Sequence, residues 1–188
     1  MQPTKIDRYI RIAICVLTVA LVFAIYSGIH QRVVIAGDAA PSFTVTADNG
    51  TVVTLPQSWP WAPKFNGKLL VLNFWASWCP PCVQETPSLS QFASEFASKG
   101  VVVLAVSVDH DLKAYNAFLQ KFQPAFLTAR DLTLHEKYGT YMYPETYIIG
   151  PDGKVLQKFA EGVDWSDPKV TQYVSSLLSG SAQPGPTD

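Results

Sequence analysis

Leu69-Leu70-Val71-Leu72-Asn73-Phe74-Trp75-Ala76-Ser77-Trp78-Cys79-Pro80-Pro81-Cys82 decides how the rest of the chain is read. Leu69 to Trp75 is a nearly continuous apolar run, as in a strand covered on both faces. After Cys82, the residues Leu89, Phe92, Ala93 and Phe96 fall on one face of a helix. Cys79 and Cys82 therefore straddle a strand-to-helix junction. Their spacing closes a small disulfide ring and makes Cys79 the candidate helix cap. A sulfur there faces the first-turn N–H groups and the positive end of the helix dipole, which both stabilise a thiolate. Cys82, one turn on, can attack a mixed disulfide formed at Cys79. That is the two-step exchange of a dithiol redox pair.

The intervening dipeptide tunes the pair. Pro80 and Pro81 carry no N–H, so the Cys82 amide is the one first-turn donor left for Cys79. The expected lowering of the Cys79 pKa is modest, nearer about 7 than about 3.5. A weakly stabilised reduced form means a low potential, suited to a reductant.

Working outward, the chain has 188 residues, 48% of them hydrophobic, 15% charged and 12% aromatic. About 140 residues remain after the N-terminal apolar stretch, enough for one domain with its own core. Net charge is −1, from 14 basic and 15 acidic residues, so no basic field points to nucleic acid. Three cysteines are too few for a disulfide framework. Cys15 stands apart in the apolar stretch, which leaves Cys79 and Cys82 to act together.

Residues 1–11 carry Lys5, Arg8 and Arg11, offset by Asp7. Residues 12–29, Ile12 to Ile29, are uncharged and apolar. As a helix they would span about 27 Å, close to the hydrocarbon core of a bilayer. The positive-inside rule puts the N-terminus in the cytoplasm and the rest across the membrane. A cleaved signal peptide competes, but its apolar region is usually shorter and ends at a small-x-small site. Only Ala36-Gly37-Asp38-Ala39-Ala40 weakly fits one, so an uncleaved anchor is the expectation. Cys15 reads as a membrane-embedded apolar residue.

Residues 30–40 read as a linker, 41–179 as the domain and 180–188 as a disordered tail rich in Ser, Gly and Pro. Within the domain, Asp48-Asn49-Gly50 between Phe43/Val45 and Thr51–Leu55 signals a hairpin. Gln57 to Lys64, with Trp59, Pro60, Trp61 and Pro63, reads as a loop, and residues 65–68 as a turn. Pro87 falls inside the helix that Cys79 opens, and Gly100 ends it. Val101 to Val108 is a second buried strand. Leu112, Tyr115, Phe118, Leu119 and Phe122 mark a helix capped by Asp109 or Asp111. A short strand near 125–128 and a short helix near 132–138 follow. Thr146–Ile149 and Val155–Phe159 flank Pro151-Asp152-Gly153 as a second hairpin. Asp167 and Pro168 open the last helix, which carries Val170, Tyr173, Val174, Leu177 and Leu178. This order predicts an α/β fold: a central mixed sheet with helices on both faces and an added N-terminal hairpin.

Other uses of the cysteines fit less well. A structural zinc site needs four ligands, and His30, His110 and His135 show no ligand spacing. Copper(I) suits soft thiolates, which keeps a metallochaperone open as an alternative. A disulfide oxidase or isomerase is the alternative that uses the same chemistry. No cofactor motif and no metal set is read in the chain.

The residues Asn73 to Cys82, with Tyr143-Pro144-Glu145-Thr146-Tyr147-Ile148-Ile149 and Pro151-Asp152-Gly153-Lys154-Val155 downstream, resemble the thioredoxin superfamily. Within it they resemble the membrane-anchored TlpA/ResA/CcmG-like thiol-disulfide oxidoreductases. The resemblance covers roughly residues 41–179 and implies a thioredoxin-like fold. It places Pro87 where such proteins kink the active-site helix. It implies that Pro144 follows a cis peptide bond and faces Cys79. Thioredoxin carries a buried aspartate six residues before its first cysteine, and this chain has Asn73 there. The group resembled has a glutamate where this chain has Glu85, three residues after Cys82, which is read as the proton acceptor for Cys82. Trp78, Asn73 and Glu145 are site-tuning candidates. What the resemblance implies is reduction of protein disulfides in a periplasm, with apocytochrome c as a substrate class and a transmembrane thiol relay of the DsbD/CcdA kind as electron source.

Overall fold

The structure is a computed structural model that describes residues 5–29, 33–55 and 69–180, with side chains in the first stretch described over 8–24. The chain divides into two compact units, residues 1–33 and 34–188. The first holds helix α1, Lys5–Ile29. Its apolar side chains, among them Ile12, Leu17, Val19, Val22 and Phe23, are exposed. Thr18 Oγ1 donates to the Cys15 carbonyl at 2.9 Å, so this hydroxyl is satisfied within the helix. Among the described residues no helix is long and apolar enough to cross a membrane. The described side chains of α1 end at residue 24, inside the run Ile12–Ile29.

In the second unit, β1 (Phe43–Thr46) and β2 (Val52–Leu55) form an antiparallel pair around the Asn49-Gly50 turn. Gly50 has φ +84°, the left-handed conformation that glycine adopts without strain. The loop with Trp59 and Trp61 and the turn at 65–68 lie outside the described residues. Strand β3 (Leu69–Trp75) is buried throughout. Helix α2 (Pro80–Ala97), β4 (Val101–Ser107), α3 (Leu112–Phe122), β5 (Leu127–Arg130) and α4 (Leu134–Lys137) follow. Strands β6 (Glu145–Ile149) and β7 (Val155–Phe159) and helix α5 (Pro168–Leu178) complete the unit. The five-stranded sheet runs β5-β4-β3-β6-β7. Strands β3, β4 and β5 are parallel, and β6 and β7 antiparallel, which gives the mixed sheet that the sequence predicts.

The pleat sorts β3 into two cores. Leu70, Leu72 and Phe74 pack with the β1–β2 hairpin and with Leu134 and Tyr138 at α4. Leu69 and Val71 pack with Leu89, Phe92 and Phe96 of α2 and with Val170, Tyr173 and Val174 of α5. Trp75, Cys79 and Cys82 join Tyr115 and Phe118 of α3 in a third cluster. The two cysteines thus sit where β3 hands over to α2.

Several boundaries differ from the sequence reading. Residues 34–40, read as linker, are docked. Val34 N–H donates to the Tyr138 carbonyl, Gly37 N–H donates to the Val155 carbonyl, and Val155 N–H donates to the Asp38 carbonyl, along the β7 edge. Backbone pairing leaves no mark in side-chain pattern, so this short Ala- and Gly-containing segment reads as a linker. Strand β5 begins two residues later than expected, at Leu127, and α4 is confined to Leu134–Lys137. Asp111, not Asp109, caps α3, accepting from the N–H groups of Lys113 and Ala114.

Candidate active site

Cys79 is the N-cap of α2, with extended backbone and Pro80 and Pro81 in the first turn. Its Sγ accepts from the Cys82 N–H at 3.3 Å. It is joined to Cys82 as a disulfide. Both residues are only 3% exposed. Packing with Trp75, Val108 and Tyr143 covers the pair.

The turn before Cys79 is pinned from the next strand. Asp109, buried after β4, accepts from the Ser77 N–H at 2.9 Å and the Ser77 hydroxyl at 2.8 Å. The Ser107 hydroxyl donates to the same carboxylate at 2.6 Å. Arg130 donates to the Asp109 carbonyl at 3.1 Å. Sequence reading weighed Asp109 only as a helix cap. Its partners on the active-site turn are thirty-two positions away, beyond any local pattern.

The Tyr143–Pro144 peptide bond is cis, as the resemblance implied. The Tyr143 carbonyl oxygen lies 3.3 Å from Cys79 Sγ. Trp78 is 64% exposed and sets its ring edge against Tyr143, centroids 6.0 Å apart. Tyr143 was not singled out in the sequence, since its value lies in its backbone position before Pro144.

Glu85 lies on the buried face of α2 with Cys82, Thr86 and Leu89. Its carboxylate accepts from the Trp165 indole N–H and from the Val163 backbone. Those two donors favour the charged form, but burial outweighs them and pushes the Glu85 carboxyl up from 4.5 to about 7. Among the described residues no hydrogen bond links Glu85 to either sulfur. It lines a cavity of about 780 Å³ together with Pro81, Tyr143, Pro144 and Val163. It therefore lies on the Cys82 face of α2 and beside the Pro144 loop, without a hydrogen bond to either sulfur.

Asn73 is buried on the sheet face that α2 covers, and its amide donates to Thr146 Oγ1 at 2.8 Å. Glu145 is buried and ion-paired with Lys158 across the β6–β7 hairpin. Pro144 thus lines the cavity while Glu145 pairs with Lys158. Among the described residues no group of three or more His, Cys, Asp or Glu is placed to hold a metal ion.

This arrangement is a buried dithiol/disulfide pair at a helix N-cap, with a cis-proline loop against one sulfur and a carboxyl that titrates near neutrality at an adjoining cavity. Comparison with known proteins agrees with it. The Redoxin family matches residues 35–177. The thiol-disulfide oxidoreductase ResA of Oceanobacillus iheyensis is 32% identical over 160 residues, covering 82% of each chain. ResA of Bacillus cereus is 30% identical over 151 residues, 78% of this chain and 83% of that one. A crystal structure from Chlorobium tepidum, described as a thiol:disulfide interchange protein DsbE, superposes with TM-score 0.66 at 29% identity, covering 77% of this chain and 99% of that one. The chain belongs to the Redoxin family, as a ResA/CcmG-like thiol-disulfide oxidoreductase of the thioredoxin superfamily.

Proposed function

We propose that this oxidoreductase works as a reductant of protein disulfides outside the cytoplasm. The observation that carries the direction is the cap of α2. Cys79 Sγ receives the Cys82 N–H, while Pro80 and Pro81 offer none. A thiolate with few donors is weakly stabilised, so the dithiol gives up its electrons readily.

In this reading the Cys79 thiolate attacks a substrate disulfide. A mixed disulfide forms, and one substrate sulfur leaves as a thiolate that takes a proton. Cys82 then attacks Cys79 Sγ, which restores the Cys79–Cys82 disulfide and releases the second substrate thiol. Two electrons pass to the substrate. Glu85, three residues after Cys82 on the buried face of α2, takes the Cys82 proton; a carboxyl near 7 is matched to that task. Pro144 holds the preceding backbone open to the substrate chain, and Trp78, Asn73 and Glu145 tune the surroundings.

Anchoring is part of the same proposal. From Ile12 onward α1 carries no charged residue, which suits lipid, and Lys5, Arg8 and Arg11 precede that run. The N-terminus is then cytoplasmic and the catalytic domain periplasmic, on the inner membrane. The milieu there is oxidising, so the spent disulfide needs electrons from a membrane thiol relay of the DsbD/CcdA kind. Apocytochrome c cysteines are the proposed substrate class.

A redox titration of the Cys79–Cys82 pair tests the direction. The expected potential lies nearer the −270 mV of thioredoxin than the −120 mV of a strong oxidant, values good to about tens of mV. A potential near the latter, with the protein found oxidised in cells, overturns it. Trapping with Cys82→Ala tests the substrate, because that variant holds its target as a mixed disulfide on Cys79.

A further inference from the structure

We propose that His135 is a positioning residue for protein substrates: it holds Tyr143 so that the backbone carbonyl beside Cys79 is set to receive an incoming chain. The inference rests on the proposed reduction of protein disulfides at the Pro144 loop. Between α4 and β6, residues 138–144 form neither helix nor strand. Tyr138 and Thr140 are tied to Val34 and Tyr147, and His135 adds the restraint that reaches Tyr143. Its Nδ1 lies 2.8 Å from the Thr140 carbonyl. A carbonyl only accepts, so Nδ1 carries the proton and donates. The Thr140 N–H returns a bond to the His135 carbonyl at 3.0 Å. The Tyr143 hydroxyl stands 3.2 Å from the same Nδ1 and takes a share of its proton.

The rings add to this. His135 meets Tyr143 edge-on with centroids 5.9 Å apart. Tyr143 also meets Trp78, with centroids 6.0 Å apart. The phenol thus contacts both a histidine from α4 and a tryptophan from the active-site turn. Its backbone consequence is local: the Tyr143 carbonyl lies 3.3 Å from Cys79 Sγ. A shift of the phenol moves that carbonyl relative to the sulfur, and misplacement by about 1 Å can cost on the order of a hundredfold in rate. A protein disulfide must seat its backbone along this loop to reach a sulfur that is nearly buried. A small disulfide needs no such seating. His135 therefore bears on the choice between the two.

The test compares reduction of insulin with reduction of a small aromatic disulfide by the full-length reduced protein. His135→Leu is expected to lower the insulin rate about tenfold more than the small-disulfide rate. His135→Asn keeps an N–H for the Thr140 carbonyl and is expected to recover most of that difference. Tyr143→Phe loses only the shared hydroxyl, and its insulin-selective loss should be near fivefold, the weight of about one hydrogen bond. Equal losses on both substrates, or insulin rates unchanged in His135→Leu and Tyr143→Phe, overturn the proposal. Should His135→Leu fail to fold, the other two variants decide it. A wild-type protein that leaves insulin intact while reducing the small disulfide overturns the reductase reading itself, and this inference with it.

Discussion

The indole N–H of Trp165 donates to the Glu85 carboxylate, eighty positions back along the chain. The bond works against the main influence on Glu85. Burial raises the carboxyl to about 7, and Trp165 and Val163 hold it down from going higher. A carboxyl raised on folding stabilises the protein fully below 4.5, and that contribution is lost as pH rises through about 7. At about 1.4 kcal/mol per tenfold change in proton affinity, the loss is on the order of 3 kcal/mol. Glu85→Gln cannot titrate. Its stability relative to wild type should therefore improve from pH 5 to pH 8, read by urea denaturation at both. Parallel curves would falsify the assignment of a raised carboxyl to Glu85. The same variant should flatten the pH profile of Cys82 resolution near neutrality.

Trp165→Phe removes one of the two groups that favour the charged carboxylate. The Glu85 pKa should move further up, and the inflection in the resolution rate should move with it. Trp165 is fully buried against Phe92 and Phe159, so the variant also loses stability, by about 1–3 kcal/mol for an unpaired buried acceptor. The direction of the inflection separates the two effects, since simple loosening hydrates Glu85 and moves it down.

Pro81 governs how many donors the Cys79 thiolate can draw on. At the second helical position an alanine brings an N–H within the usual capping geometry. Pro81→Ala should lower the Cys79 pKa and raise the potential. One added hydrogen bond is worth about 1 kcal/mol, so the rise is about 20 mV. Titration of iodoacetamide reactivity against pH gives the first and a glutathione titration the second. A potential that stays put or falls shows that the missing donors do not set the poise.

What was legible in the chain was what local pattern carries. Leu69 to Trp75 is uniformly apolar because both faces of β3 are covered. Cys79 announces itself as a cap by standing before two prolines. Asp167 and Pro168 mark the start of α5 in the same way. Glu85 was legible as a candidate, three residues after Cys82, but its partner Trp165 was not, because no period links positions eighty apart. Asp109 and Asp111 looked alike before α3, and only Ser77 on another element separates their roles. The segment 34–40 docks through main-chain bonds, which side-chain composition does not reveal.

Asp109 gathers three donors that have no other acceptor shown, the Ser77 N–H and hydroxyl and the Ser107 hydroxyl. Asp109→Ala should cost about 3 kcal/mol or more, since each buried unpaired donor costs about 1–3 kcal/mol. Ser77→Ala removes one side-chain bond and should cost nearer 1 kcal/mol. Combined, the two should be less than additive, as for residues in one network. Strict additivity in chemical denaturation would show that Asp109 stabilises the domain by some route other than the active-site turn.

Asn73 offers the sharpest check on the Glu85 role. Its amide donates to Thr146 Oγ1 at 2.8 Å on the face of the sheet under α2. In Asn73→Asp the hydroxyl can donate to the carboxyl instead, so the pair survives with its roles reversed. The new carboxyl is buried, and its pKa should rise by desolvation. Stability should then be near wild type below about pH 4 and fall as pH rises through the new carboxyl's pKa. The variant also places a titrating group behind the cysteines where the thioredoxin pattern has one. If Glu85 takes the Cys82 proton, Glu85→Gln slows resolution, and adding Asn73→Asp restores part of the rate above the new carboxyl's pKa. A double variant as slow as Glu85→Gln at pH 8, with Asn73→Asp alone folded and active, would show that the lost function of Glu85 is not proton transfer. Its part would then be to shape the cavity beside Pro144 through its bond to Trp165.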